Sequence, residues 1–271
     1  MQDLYHYTSV DSLAMILSTR RLRLNSLQRV DDLQEQKSLD IVGLGKYVFV
    51  SCWTEECEEQ LPMWKMYSNF ESGVRIKLQR YPFKEKENLP EDLRDATGEH
   101  VEGNAEGRYP RSLITVADMA RMKVVSTGLV QQRNILFKVD YTSETDKLLP
   151  RIIERNDERV KLALDKMGKY KNVGWKFQKE WRYILYLYPL DINNPTEVLH
   201  PEKMMYRMMN DEANMPFDHI DLELDEDAFS NMEITLSPKI SNGNRLIVND
   251  LVAKYNPKAD VSESIFYGTL A

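Results

Sequence analysis

The chain opens on Leu4-Tyr5-His6-Tyr7-Thr8, a short alternation that suits a strand. Thr8-Ser9-Val10-Asp11 then carries the Ser/Thr-x-x-acid spacing that satisfies the first orphan amides of a helix. Val10, Leu13, Ala14 and Leu17 recur on one helical face, and Arg20-Arg21-Leu22-Arg23-Leu24 alternates as a strand would. The order strand, helix, strand is predicted. Asp31 to Asp40 is polar and compatible with a helix, whereas Tyr47-Val48-Phe49-Val50-Ser51-Cys52-Trp53 is the continuous β-branched and aromatic run of a buried strand. Pro62 opens a short helix bearing Met63, Trp64 and Tyr67, since its missing amide is harmless in a first turn. Gly73 to Leu78 alternates again, with Val74, Ile76 and Leu78 on one side.

From Tyr81 to about Arg121 the pattern dissolves into charge, with Gly98, Gly103 and Gly107 as breakers, which predicts a variable insertion over about 81–121 with one short helix. Ile135 to Tyr141 reads as a strand and Ser143 to Lys169 as a helix that Pro150 starts or kinks. Trp175 to Tyr188 is strand-like, and about 191–228 is acidic, methionine-rich and irregular. A strand at Ile234 to Leu236, a helix from Arg245 to Tyr255 and a strand from Val261 to Phe266 complete the order. Strands without regular βαβ alternation, and no linker that divides the chain, predict one α+β domain over 1–271.

The 42% hydrophobic and 29% charged residues exclude disordered and fibrous classes, and 271 residues bury a full core without disulfides or metal. The net charge of -7 argues against a large sequence-blind affinity for phosphates, while leaving room for a locally basic groove. Cys52 and Cys57 are too few for a disulfide framework and lack a zinc spacing, which suits reduced thiols in a cytoplasmic protein. No secretory signal or membrane anchor is read in the sequence, so no membrane partner is expected.

Three clusters carry candidate chemistry. Alternation places His6 with Leu4 and Thr8, and Tyr5 with Tyr7 on the opposite face, so one imidazole can point into a cleft or make a structural hydrogen bond. Ser51 lies among aromatic residues, and Trp64 and Tyr67 follow at helical spacing; the rings can sandwich a flat heterocycle or simply fill core. In Lys179-Glu180-Trp181-Arg182-Tyr183, alternation sets Glu180 beside Arg182. That pair is either a solvent-facing edge or a cleft carboxylate able to stabilise positive charge at an anomeric carbon. The signatures of Rossmann dehydrogenases, P-loop NTPases, zincins and α/β-hydrolases are absent from the sequence. Glu55, Glu56, Glu58 and Glu59 would raise a nearby thiol pKa and so discount Cys52 or Cys57 as a nucleophile. A nuclease would need acids clustered for Mg²⁺, but Asp31-Asp32 and Asp221 to Asp227 look like solvated runs.

Several motifs in order resemble the bacterial domain-of-unknown-function family 2971. They are Leu4-Tyr5-His6-Tyr7-Thr8-Ser9, Arg21-Leu22-Arg23-Leu24-Asn25-Ser26, Val48 to Trp53, Met63-Trp64-Lys65-Met66-Tyr67, Gly73-Val74-Arg75-Ile76, Phe177 to Arg182 and Ile234 to Ile240. The opening motif and the late glutamate are in turn similar to the ADP-ribosyltransferase superfamily, including DNA-modifying toxins of the DarT type. That resemblance implies a split β-sheet core with flanking helices, NAD as substrate and no metal. It implies His6 with Tyr7 and Thr8 for NAD, Ser51 on the middle strand, Trp64 or Tyr67 as the aromatic over nicotinamide, and Glu180 with His6 for catalysis. Gln178-Lys179-Glu180 fits the Gln/Glu-x-Glu pair of arginine-modifying members, and Arg75, Arg21 and Arg23 are candidates for the pyrophosphate. The implied activity is ADP-ribosyl transfer to an unknown acceptor, or NAD hydrolysis, in a toxin or phage-defence effector. The alternative is a non-catalytic ligand-sensing or partner-binding module on the same fold, with Met204, Met205, Tyr206, Met208 and Met209 either an adaptable contact surface for a protein partner or, as their composition favours, a buried methionine face of a helix.

Overall fold

The computed structural model describes residues 3–89, 109–155 and 160–270. Strand β1 (Asp3–Ser9) runs into helix α1 (Val10–Thr19), where Ser9 Oγ accepts from the amide of Ser12 at 3.1 Å and so supplies the N-cap. Val10, Leu13, Ile16 and Leu17 form the buried stripe of α1. Arg20, in the left-handed region with φ 55°, turns the chain into β2 (Arg21–Ser26), whose Leu22 and Leu24 are buried while Arg21, Arg23 and Asn25 are exposed.

The other main elements are β3 (Val48–Thr54), α2 (Leu61–Tyr67), β4 (Gly73–Gln79), α3 (Val116–Met122), β5 (Leu136–Lys138) and β6 (Glu180–Tyr186). They are followed by α4 (Pro201–Met209), β7 (His219–Glu223), β8 (Glu233–Leu236), α5 (Asn242–Tyr255) and β9 (Asp260–Glu263). One nine-stranded sheet runs in the order β7-β2-β3-β1-β4-β8-β9, and β6 joins β3 to β5. All of its pairings are antiparallel except β8 with β9. The fold is therefore α+β, as expected, with a large mixed sheet. No described helix is long and apolar enough to cross a membrane.

Strand β3 is the branch point. One edge pairs with β6 along its whole length, Glu180 opposite Thr54 and Tyr186 opposite Val48. The other edge is shared. Phe49 and Val50 pair with Ser26 and Asn25 of β2, Thr54 pairs with Tyr5 of β1, and Ser51 to Trp53 pair with neither. The sheet thus opens over these three residues. A large core of Leu4, Leu22, Leu24, Phe49, Ile76 and Ile234 lies on one face, and Val48, Val50, Ile184, Ile152 and Met208 form a second cluster on the other.

Several expected elements differ. The helix predicted from Ser143 to Lys169 is a single turn at Thr145–Leu148, then a ribbon of Ile153–Arg155 with Val160–Leu162, then a 3-10 turn at Leu164–Lys166. Pro150 drives Leu149 out of the helical region (φ -130°, ψ 72°), and of the apolar residues read as a helical stripe Ile152, Leu162 and Leu164 are buried while Val160 is exposed. Asp31 to Asp40 forms turns, and Asp40 accepts from the amides of Ile152 and Ile153 at 3.0 and 2.9 Å. The strand from Ile135 breaks at Val139, whose amide bonds to the carbonyl of Glu180, and Asp140–Thr142 pairs in parallel with Tyr170–Asn172. Trp175 to Gln178, the start of the strand expected over Trp175 to Tyr188, lies instead in a 3-10 helix at Val173–Gln178. The segment 191–228 is not irregular: it holds a short helix at Pro195–Leu199, α4 and β7. Of the predicted insertion, residues 90–108, including Gly98, Gly103 and Gly107, lie outside the described residues; its short helix is α3.

Candidate functional site

The opening in the sheet determines what meets there. Because Tyr5 faces Thr54, alternation puts His6, Thr8 and Ser51 on one sheet face and Cys52, Glu180 and Arg182 on the other. A cavity of about 340 Å³ runs through the gap and is lined from both faces, by His6, Thr8 and Ser51 and by Cys52, Glu180 and Arg182. Ser12, Met15 and Thr19 of α1 form a side wall, Tyr67 and Asp31 another, and Arg21, Arg23 and Arg29 the outer end. An annex of about 70 Å³, bounded by Tyr5, Tyr7, Trp53, Met63 and Gln178, shares His6, Cys52, Tyr67 and Glu180 with it.

His6 spans the gap. Its ring stacks on Trp53 with centroids 5.0 Å apart, and Nδ1 lies 2.8 Å from the carbonyl of Cys52, which can only accept. Nδ1 therefore carries the proton and Nε2 is left as an acceptor. Burial lowers the imidazole pKa, outweighing the bond to Cys52, so the ring is neutral. Ser51 Oγ accepts from Trp53 Nε1 at 3.0 Å, which leaves its own hydroxyl proton to donate.

Glu180 belongs to a buried group of four charges. Its Oε1 accepts from Arg182 Nε at 2.6 Å and its Oε2 from Lys171 Nζ at 3.1 Å. The outer edge of the Arg182 guanidinium is gripped by both oxygens of Glu35 and by the carbonyl of Gly168 at 3.0 Å. Lys171 Nζ also reaches Gln178 Oε1 at 2.9 Å and Glu35 Oε1 at 3.4 Å. Two cations thus balance two carboxylates. Burial pushes the Glu180 pKa up, but Arg182 and Lys171, with hydrogen bonds from Arg182 and Cys52, outweigh it and hold the carboxyl at about 2. The Cys52 thiol is driven the other way, by burial and then by the Glu180 charge, and stays protonated. Gln178 donates to Tyr67 Oη, and Tyr67 bonds in turn to Asp31; burial and that carboxylate raise the phenol pKa.

The structure brings His6, Thr8, Ser51, Tyr67 and Glu180 to one cavity. Trp64 and Arg75 require correction, because neither lines it. Trp64 is fully buried, edge-on to Tyr7 at 4.9 Å, with Nε1 bonded to Glu59 at 2.9 Å. Its helical spacing with Tyr67 serves packing, which leaves Tyr67 as the cavity's aromatic. Arg75 is buried over the rings of Tyr5 and Tyr7 and donates to the Cys57 carbonyl at 3.0 Å. Tyr7 reaches the annex alone, and its hydroxyl accepts from the Gln60 amide. Arg21 and Arg23 do lie at the cavity's outer end, joined by Arg29. Arg23 is engaged by both oxygens of Asp221, at 2.9 and 3.2 Å, and Arg29 by Asp218.

Sequence reasoning missed Glu35, Lys171, Arg29 and the place of Asp31. Nothing in the polar run around Glu35 or in Tyr170-Lys171-Asn172 marks a buried charge. The one available signal was Glu180 beside Arg182 on an otherwise apolar strand, an arrangement that requires further counter-charges once buried. Among the described residues no group of three or more His, Cys, Asp or Glu side chains is arranged to hold a metal ion. A scan of the chain against protein-family models finds none that matches, and a search of curated proteins finds no matching relative.

Proposed function

We propose that the cavity binds NAD and that the protein cleaves its nicotinamide N-glycosidic bond, passing ADP-ribose to an acceptor nucleophile or to water. The observation that carries this reading is that His6 and Glu180, from opposite faces of the sheet, border the same cavity. The opening at Ser51 to Trp53 is also in keeping with the split sheet that the sequence resemblance implies. Of the five cationic side chains in the lining, Arg23, Arg29, Lys171 and Arg182 are balanced by Asp221, Asp218, Glu35 and Glu180, so the charge that could meet an anionic ligand is that of Arg21 at the outer end. The volume falls in the range of roughly 300–1,000 Å³ usual for small-molecule sites.

In this reading the neutral Nε2 of His6 and the hydroxyls of Thr8 and Ser51 bond ribose hydroxyls, and Tyr67 flanks the nicotinamide. As the bond from C1′ to the pyridinium nitrogen breaks, its electron pair neutralises the ring. Positive charge builds on the ribose, and the ionised Glu180 stabilises it. The acceptor then bonds C1′ and gives up a proton. By resemblance such chemistry suits a toxin or phage-defence effector.

A second reading rests on a specific observation. Glu180 is 4% exposed and both of its oxygens are already ion-paired, which suits a site that senses a ligand without turning it over. The wild-type protein with NAD separates the two. At about 100 times its dissociation constant a ligand adds roughly 2.7 kcal/mol of stability, visible as a rise in Tm. Stabilisation with release of free nicotinamide supports the enzyme, and stabilisation alone supports the sensor. Neither effect at millimolar NAD overturns both.

A further inference from the structure

We propose that Lys171 is a positioning residue, acting through Glu180: it fixes the plane of that carboxylate toward the cavity and ties it to the Gln178–Tyr67 wall. This inference rests on the NAD reading for its kinetic consequences, and on geometry alone for its structural ones. Lys171 is 3% exposed, donates to Gln178 and Glu180, and lies 3.4 Å from Glu35 Oε1 as an ion pair. Among the described residues it is the one side chain bonded to both the carboxylate and the residue that holds Tyr67.

Arg182 cannot do this alone. It meets Glu180 through a single N–H, at Nε, while Glu35 takes one N–H from each Nη and Gly168 the other from Nη1. Without Lys171 the carboxylate would be held by that one charged contact at Oε1 and by the weak thiol donor of Cys52, and the ammonium contact at Oε2 fixes its plane. The position of Lys171 is itself built in. Its strand pairs with Asp140–Thr142, Tyr141 Oη of that segment accepts from the Glu180 amide at 2.8 Å, and the Trp175 ring lies 4.7 Å from Nζ. The groups facing Glu180 are therefore Arg182 on its own strand, Cys52 on β3, Lys171 and Tyr141 on the small parallel pair, Tyr67 on α2, and Glu35 across Arg182.

The test compares Lys171→Met, which keeps the stem and removes the charge, with Lys171→Arg. In protein carrying ¹³C at the glutamate carboxyls, the Glu180 titration midpoint is expected to rise by about one pH unit or more in Lys171→Met and to stay low in Lys171→Arg. With NAD as the probe, kcat for nicotinamide release is expected to fall by about 10²–10³-fold in Lys171→Met with KM nearly unchanged, and to recover in Lys171→Arg. An unmoved Glu180 titration in folded Lys171→Met, or a raised KM with unchanged kcat, overturns the proposal. If wild-type protein releases no nicotinamide, the NAD reading fails, while the carboxyl titration still decides the role of Lys171. Should Lys171→Met not fold, the charge-balanced Glu35→Gln/Lys171→Met pair, read against Glu35→Gln, carries the same titration.

Discussion

Replacing Glu180 by Gln removes one negative charge from a closed set of two carboxylates and two cations, leaving Arg182 and Lys171 with only Glu35 to balance them. On a solvent-facing edge, one of the two placements the sequence allows for Glu180, such a variant would fold normally. The burial of the whole set changes that expectation. Breaking a buried, hydrogen-bonded ion pair from one side costs about 3–5 kcal/mol. The depressed pKa of Glu180 points the same way, because Arg182 and Lys171 stabilise its charged form only in the folded chain. The folded value is depressed, so this contribution is complete above pH about 4.5 and is lost as pH falls toward 2. At pH 7 the variant should lose about 3–5 kcal/mol in urea unfolding, and its Tm should drop on the order of 10 °C. Between pH 4.5 and 2 the gap should narrow, because the wild-type carboxyl is being protonated as well. Adding Lys171→Met should restore part of the loss by rebalancing the charge. A loss below about 1 kcal/mol at pH 7, or a gap that does not change in acid, would refute the reasoning.

Three further outcomes follow from individual contacts. At pH 8 a thiol reagent should modify exposed Cys57 quickly and Cys52, in the cavity wall, far more slowly, since burial and Glu180 keep that thiol protonated; two equally fast equivalents would contradict this. By ¹⁵N NMR, His6 should appear as the Nδ1–H tautomer and titrate below 6.5. Its neutral form then stabilises the fold above that pH, an effect lost as pH falls through the depressed value, and a midpoint at or above 6.5 would be inconsistent with burial. Gly73→Ala should cost about 1–3 kcal/mol in urea unfolding, because an added Cβ would lie 2.4 Å from Ser68 Oγ and 2.7 Å from its carbonyl oxygen; an unchanged midpoint would show that Ser68 moves aside freely.

The strands that form the sheet were legible wherever local pattern and final burial agree. Val48 to Trp53 is buried on both faces and reads as a continuous apolar run, and Arg21 to Ser26 alternates because one face meets the core and the other solvent. Strand β7 had the same alternation in His219-Ile220-Asp221-Leu222-Glu223, obscured by the acidic composition around it. The false helix after Ser143 had apolar residues at helical intervals, but Ile152, Leu162 and Leu164 reach one core cluster from extended and 3-10 segments, and Pro150 prevents continuous hydrogen bonding. At the site, His6 and Glu180 stood out as polar groups in apolar strands, whereas Glu35 and Lys171 sit in polar stretches where a charge is unremarkable. Only the pairing of distant segments makes them interior. Trp64 misled because packing a ring against Tyr7 and presenting one to a ligand use the same residue type at the same helical spacing.

Glu59, just ahead of α2, receives Trp64 Nε1 from within that helix and the Ile265 amide and Ser264 hydroxyl from about 205 positions downstream. At synthesis rates of about 5–20 residues per second, the ribosome takes roughly ten to forty seconds to deliver those donors. For more than half of that interval the nascent chain also lacks β6, and for most of it β8, so the long edges of β3 and β4 emerge bare and open to pairing with other chains. Yield in a cell should therefore depend on holdase capacity during translation, even for variants whose finished fold is fully stable.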